Sequence, residues 1–159
     1  MTPTTPSTGT DRPRETVDHR VHATATRPTV GALRGHGETV LVIDDDLAVR
    51  EVLGAVLKMN GYRTLLAADG AAGLALYREH SVEIKVVLTD ILMPGMSGSE
   101  VIAALRELNP AVRILAVSGL VDAEEMGVPT ESGRLELLFK PLTSGPLLEA
   151  VARLLAGRG

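Results

Sequence analysis

Three consecutive aspartates, Asp44, Asp45 and Asp46, stand directly after the apolar run TVLVI, and a fourth, Asp90, follows KVVLT. Ser118 follows RILAV, and Lys140 follows LELLF. Carboxylates gathered in one place repel one another and are tolerated where a cation sits among them or where some remain protonated. Mg2+ is the economical cation, because it takes octahedral oxygen coordination from one or two carboxylates and leaves positions for water and phosphate oxygens. No histidine accompanies these acids, which favours this hard ion over zinc or copper. With metal and phosphate together, a carboxylate can attack phosphorus to give an aspartyl phosphate. Ser118 can then hydrogen-bond one phosphoryl oxygen and Lys140 can pair with another. Charge neutralisation and in-line placement are most of what phosphoryl transfer needs from a protein.

For these residues to meet, the elements that precede them must end at one edge. Five apolar runs read as strands: 39–43, 63–68, 85–89, 113–117 and 135–139. Between the first two, Leu47, Val49, Val52, Leu53, Val56 and Leu57 recur at helical spacing and stop at Gly61. Helices are also expected over 70–80, over 97–110 closing at Asn109-Pro110, and over 144–157 with Ser144 as N-cap and Pro146 in the first turn. The stretch 120–134 must hold a further crossover helix, but Gly127, Pro129 and Gly133 make it short or irregular. Strands alternating with helices pair in parallel, because a parallel neighbour needs a crossover. The expected fold is a doubly wound α/β sandwich, whose ligand site lies beyond the carboxyl ends of the strands. All the polar residues named above fall on that rim.

The 159 residues suffice for one domain with a real core. Residues 1–37, with nine threonines, four prolines and five arginines, read as a disordered tail or linker ahead of a domain over 38–159. Absence of cysteine excludes disulfides, thiolate metal sites and thiol nucleophiles. No apolar run approaches the ~18 residues of a membrane span, and the N-terminus lacks a secretory signal, so a cytoplasmic protein without membrane contact is expected. A net charge of −4 and scarce aromatic residues argue against nucleic-acid binding. His19, His22 and His36 lie in the tail and His80 at a helix end away from the rim, so a phosphodonor histidine must arrive on another protein.

The acidic set VIDDD, the segment LTDILMPGMSG, and then AVSG and FKP, in this order, closely resemble the receiver domains of two-component response regulators. The resemblance covers about residues 38–157 and is specific in combination. It implies the flavodoxin-like strand order 2-1-3-4-5, with Asp90 as phosphoacceptor and Asp44 and Asp45 as the acid pair holding Mg2+. The Leu92 backbone carbonyl would join the metal, Ser118 and Lys140 would sense the phosphate, and Lys140-Pro141 would be cis. Met93-Pro94 and Gly98 would shape the loop beyond Asp90, and Gly119 would keep the approach open. The implied partner is a histidine kinase, in trans or as parent hybrid kinase, or a histidine phosphotransfer protein. The lead-in GHGETVLVIDDD is similar to the junction before the C-terminal receiver of hybrid sensor kinases. One departure is Leu137, where many receivers carry an inward-rotating aromatic.

Two other readings compete. A phosphatase of the haloacid dehalogenase type would use Asp44 as nucleophile and Asp46 as acid-base, leaving Asp90 idle. A degenerate receiver would serve only as a scaffold. Asp46 on its own also reads as an ordinary helix N-cap.

Overall fold

A computed structural model describes residues 30–119 and 133–157. Strands β1 (Thr39–Ile43), β2 (Arg63–Ala67), β3 (Ile84–Asp90), β4 (Ile114–Ser118) and β5 (Leu135–Phe139) form one parallel sheet in the order β2-β1-β3-β4-β5. Helices α1 (Leu47–Met59), α2 (Gly70–His80), α3 (Gly98–Leu108) and α4 (Ser144–Ala156) cover it. The expected fold class and strand order are therefore those observed. The crossover helix expected between β4 and β5 falls largely on residues 120–132, outside the described residues.

Strand side chains alternate between the two faces, so a strand buried on both sides must be apolar throughout. Along β1, Leu41 and Ile43 join Leu74, Tyr77, Val101 and Leu105 on the α2–α3 side. Val40 and Val42 join Leu53, Leu57, Leu147 and Val151 on the α1–α4 side. The glycines let helices approach closely: a Cβ on Gly73 would collide with Ile43, and one on Gly54 would press on Leu66.

The capping chemistry matches expectation for α1, where the Asp46 carboxylate accepts from Ala48 N at 2.8 Å and Val49 N at 3.2 Å. Helix α3 opens with a reciprocal capping box between Ser97 and Glu100. For α4 the expected Ser144 cap is corrected: Thr143 occupies the cap position and makes no side-chain cap bond. Pro146 accounts for the missing cap bond. It is the third helical residue, and a proline there removes one of the N–H groups that a cap oxygen normally accepts.

The tail boundary is also displaced. Residues 30–37, read from sequence as part of a disordered tail, are docked on the domain. Val30–Leu33 forms a 3-10 turn against α4, and Leu33 packs on the α1–α4 side of the core. Gly35 N donates to Asn60 O at 2.8 Å, Gly37 N to Gly61 O at 2.9 Å, and the Tyr62 hydroxyl to Leu33 O at 3.2 Å. This clasp therefore ties the C-terminal end of α1 to α4. The backbone approach leaves no room for side chains, since a Cβ on Gly35 would lie 2.5 Å from the Tyr62 ring. Gly35→Val should lower the thermal midpoint by an amount equivalent to roughly 1–3 kcal/mol. Gly31→Ala, which meets nothing within 4 Å, should leave it unchanged in the same melting experiment. Equal midpoints for the two variants would mean that the clasp contributes no stability.

Candidate functional site

The carboxyl ends of β1, β3, β4 and β5 converge on one rim. Asp90 and Ser118 are the last residues of β3 and β4, one position deeper than the sequence placed them, because both strands run a residue further. Asp90 is paired with Val117 in the ladder, and Ile91 N donates to Val117 O at 3.0 Å. Burial follows from that depth: Asp90 is 4%, Asp44 2% and Ser118 0% exposed. Asp45 remains exposed. A Cβ on Gly98 would collide with the Asp90 carbonyl and the Ile91 Cα, so α3 begins flush against the strand end and only glycine fits.

Asp44, Asp45 and Asp90 each bring a carboxylate oxygen within 4.8 Å of the others. Lys140 Nζ reaches Asp90 Oδ2 at 2.8 Å, and Leu92 N donates to Asp90 Oδ1 at 3.3 Å. Asp46 N donates to Asp44 Oδ1 at 2.9 Å. The Ser118 hydroxyl donates to the Gly119 carbonyl at 2.9 Å, and Lys140 N donates to Ser118 O at 2.9 Å, which fixes β5 beside β4. The Lys140-Pro141 bond is cis. Five of the residues singled out from sequence are thus in one place: Asp44, Asp45, Asp90, Ser118 and Lys140. Asp46 is not among them, because its carboxylate is turned onto the start of α1.

The electrostatics are those of a site short of positive charge. Burial pushes the Asp44 carboxyl above its ordinary value, and the charges of Asp90 and Asp45 push it further. The backbone bond from Asp46 and the charge of Lys140 offset this only in part. For Lys140, burial acts downward, yet the hydrogen bond to Asp90 and the charges of Asp90, Asp44 and Asp45 raise it overall. Three clustered carboxylates, only one of them paired with the single partly exposed ammonium, match the hard oxygen donor set that Mg2+ takes, with room for water and phosphate.

Beside Lys140 a groove of about 380 Å³ opens between α1 and the β5–α4 loop, lined by Val49, Val52, Pro141 and Leu142 among others. Leu47 and Val52 stand 58% and 62% exposed near it. One residue of the site escaped the sequence reading: Arg50, whose Nη1 donates to the Asp44 carbonyl at 2.6 Å. The available signal was a cation in the first turn of α1, where the helix dipole disfavours it.

The family model of the response regulator receiver domain matches residues 40–152. Transcriptional regulatory protein ZraR of Salmonella typhimurium is 34% identical over 117 residues, which are 74% of this chain and 26% of that protein. The chain thus spans about a quarter of that relative's length. A response regulator receiver domain protein from Clostridium thermocellum superposes with a TM-score of 0.70 at 27% identity, covering 74% of this chain and 94% of that one. The receiver domain of the hybrid histidine kinase CckA gives 0.62 at 26% identity, covering 74% and 98%. On its sequence, its strand order and the match over most of its length, this chain belongs to the response regulator receiver domain family.

Proposed function

We propose that this receiver accepts a phosphoryl group on Asp90 from a phosphohistidine, with Mg2+ held by Asp44, Asp45, Asp90 and the Leu92 backbone carbonyl. The observation that carries the reading is the Lys140 Nζ to Asp90 Oδ2 contact of 2.8 Å beside two further carboxylates. A carboxylate oxygen of Asp90 attacks phosphorus as the P–N bond breaks, and the electron pair returns to the imidazole. Lys140 leaves the carboxylate for a phosphoryl oxygen, and the Ser118 hydroxyl turns from the Gly119 carbonyl to another. Mg2+, when bound, neutralises the charge gathering on the transferred group. The exchange of partners at Lys140 and Ser118 is the local event from which a switch in surface contacts starts.

The phosphatase reading is disfavoured by Asp46, whose carboxylate is committed to Ala48 N and Val49 N rather than aimed at the rim. The phosphodonor is a histidine kinase or a histidine phosphotransfer protein. The apolar groove beside Lys140 suits a helix that carries such a histidine over the rim. Upstream of the clasp, the threonine-rich residues serve as a tether to a partner domain, and the setting is cytoplasmic. Among the described residues no helix is long and apolar enough to cross a membrane.

Incubation of the protein with Mg2+ and a small-molecule phosphodonor, followed by intact mass measurement, tests the reading. One covalently attached phosphoryl group is expected, and it should fail to form when the metal is chelated. Continuous multiple-turnover release of phosphate without a labelled intermediate would instead favour the enzyme.

A further inference from the structure

We infer that Arg50 is a positioning residue for the acid pair, acting through the peptide group that joins Asp44 to Asp45; the inference rests on the metal-binding reading above. Strand β1 ends its ladder at Ile43, opposite Ala67 and Thr89. The Asp44 carbonyl therefore emerges beyond the sheet, where a main-chain acceptor needs another partner. Arg50 supplies it: Nη1 donates to that oxygen at 2.6 Å, while Arg50 N is bonded to Asp46 O at 3.0 Å. The side chain thus reaches back across the β1–α1 turn, while the first backbone bond of α1 closes its other end. The orientation of the peptide between residues 44 and 45 sets the directions in which both carboxylates leave the chain. Fixing it holds their oxygens within 4.8 Å of the Asp90 carboxylate despite mutual repulsion.

A cation in the first turn of a helix opposes the dipole, so the charge of Arg50 contributes nothing to α1. Near a divalent ion its charge is also unfavourable. Charge and position therefore predict opposite outcomes. If Arg50 acted only as a charge, a neutral residue would tighten Mg2+ binding; if it orients the acid pair, a neutral residue weakens it.

The test is Mg2+ titration of the native protein, Arg50→Met and Arg50→Lys by calorimetry, with thermal midpoints measured in chelator. Arg50→Met, which keeps much of the aliphatic stem, should bind Mg2+ about tenfold more weakly, the loss typical when the group that orients a metal ligand is removed. Its metal-free midpoint should fall only by what one part-buried hydrogen bond to a carbonyl contributes. Arg50→Lys, with a charge and a shorter donor, should fall between the two. Equal or tighter binding by Arg50→Met overturns the inference while leaving the metal site intact. Should Arg50→Met fail to fold, the lysine variant decides in the same way, weaker binding supporting the inference and native or tighter binding overturning it. No Mg2+ binding by the native protein overturns the metal reading and this inference with it.

Discussion

Asp90→Asn is expected to lose all covalent phosphoryl label while keeping the fold. The side chains are nearly isosteric, and the asparagine oxygen can still accept from Leu92 N, which lies 3.3 Å from Asp90 Oδ1. The strand is held independently of the side chain, through the ladder of Asp90 with Val117. What disappears is the proposed nucleophile, because an amide oxygen does not attack phosphorus as a carboxylate does. The variant also loosens Lys140. With its partner ionised, Lys140 has a folded pKa above 10.5, so its contribution to stability is complete below that unfolded value and is lost as pH rises through the folded value. Removing the Asp90 charge shrinks this alkaline loss. The neutral-pH cost of the pair is small, at most about 1 kcal/mol, because the lysine side chain is 42% exposed and screened. Intact mass spectra after treatment with the phosphodonor, alongside alkaline melts, check both statements. Label retained in Asp90→Asn would move the nucleophile elsewhere, and Asp44 would become the first candidate.

The site was legible because its residues follow apolar runs, and a run covered on both faces announces a strand whose end must lie at the rim. TVLVI and LELLF gave β1 and β5 residue for residue. RILAV and KVVLT stop one residue short of the ends of β4 and β3 because Ser118 and Asp90 are polar, although the ladder continues through them. The docking of residues 30–37 left little trace, since it is built from backbone bonds and from glycines chosen for their lack of a side chain. Arg50 escaped for a related reason: its partner is a main-chain carbonyl, which carries no residue type. Ser144 is off by one residue: it is itself helical, and Thr143 before it takes the extended cap conformation. Leu137 is half-buried against the α2–α3 side of the core and pairs with Ala116 in the ladder. It therefore fills space from the edge strand as a packing residue.

Asp44→Asn should reverse the order of stability between variant and native protein according to whether Mg2+ is present. Without metal, the native carboxylate is buried and faces Asp90 and Asp45, and burial with those charges holds its pKa above 3.8. A group raised on folding contributes stability below its unfolded value, and that contribution is lost as pH rises through the folded value. Once ionised, the metal-free Asp44 is thus a liability. Asparagine keeps the acceptor for Asp46 N, which lies 2.9 Å from Oδ1, and removes both the desolvation cost and the repulsion. The metal-free variant should be more stable by about 1 kcal/mol, in the range typical when a strained functional group is relieved. It should also lose the decline in stability expected of the native protein as pH rises above the unfolded Asp44 value of 3.8. With Mg2+ the balance inverts. Binding to the folded state alone at a hundred times the dissociation constant stabilises by about 2.7 kcal/mol, and the variant lacks one of the carboxylates proposed to hold the ion. Protons compete for the same oxygens, so the native protein's Mg2+ affinity should fall as pH drops through the raised Asp44 value. Calorimetric melts of both proteins at neutral pH, with chelator and with excess Mg2+, give the four midpoints needed. A metal-free variant less stable than native, or a native midpoint indifferent to Mg2+, would show that the acid cluster is not kept at the expense of stability for the sake of a cation.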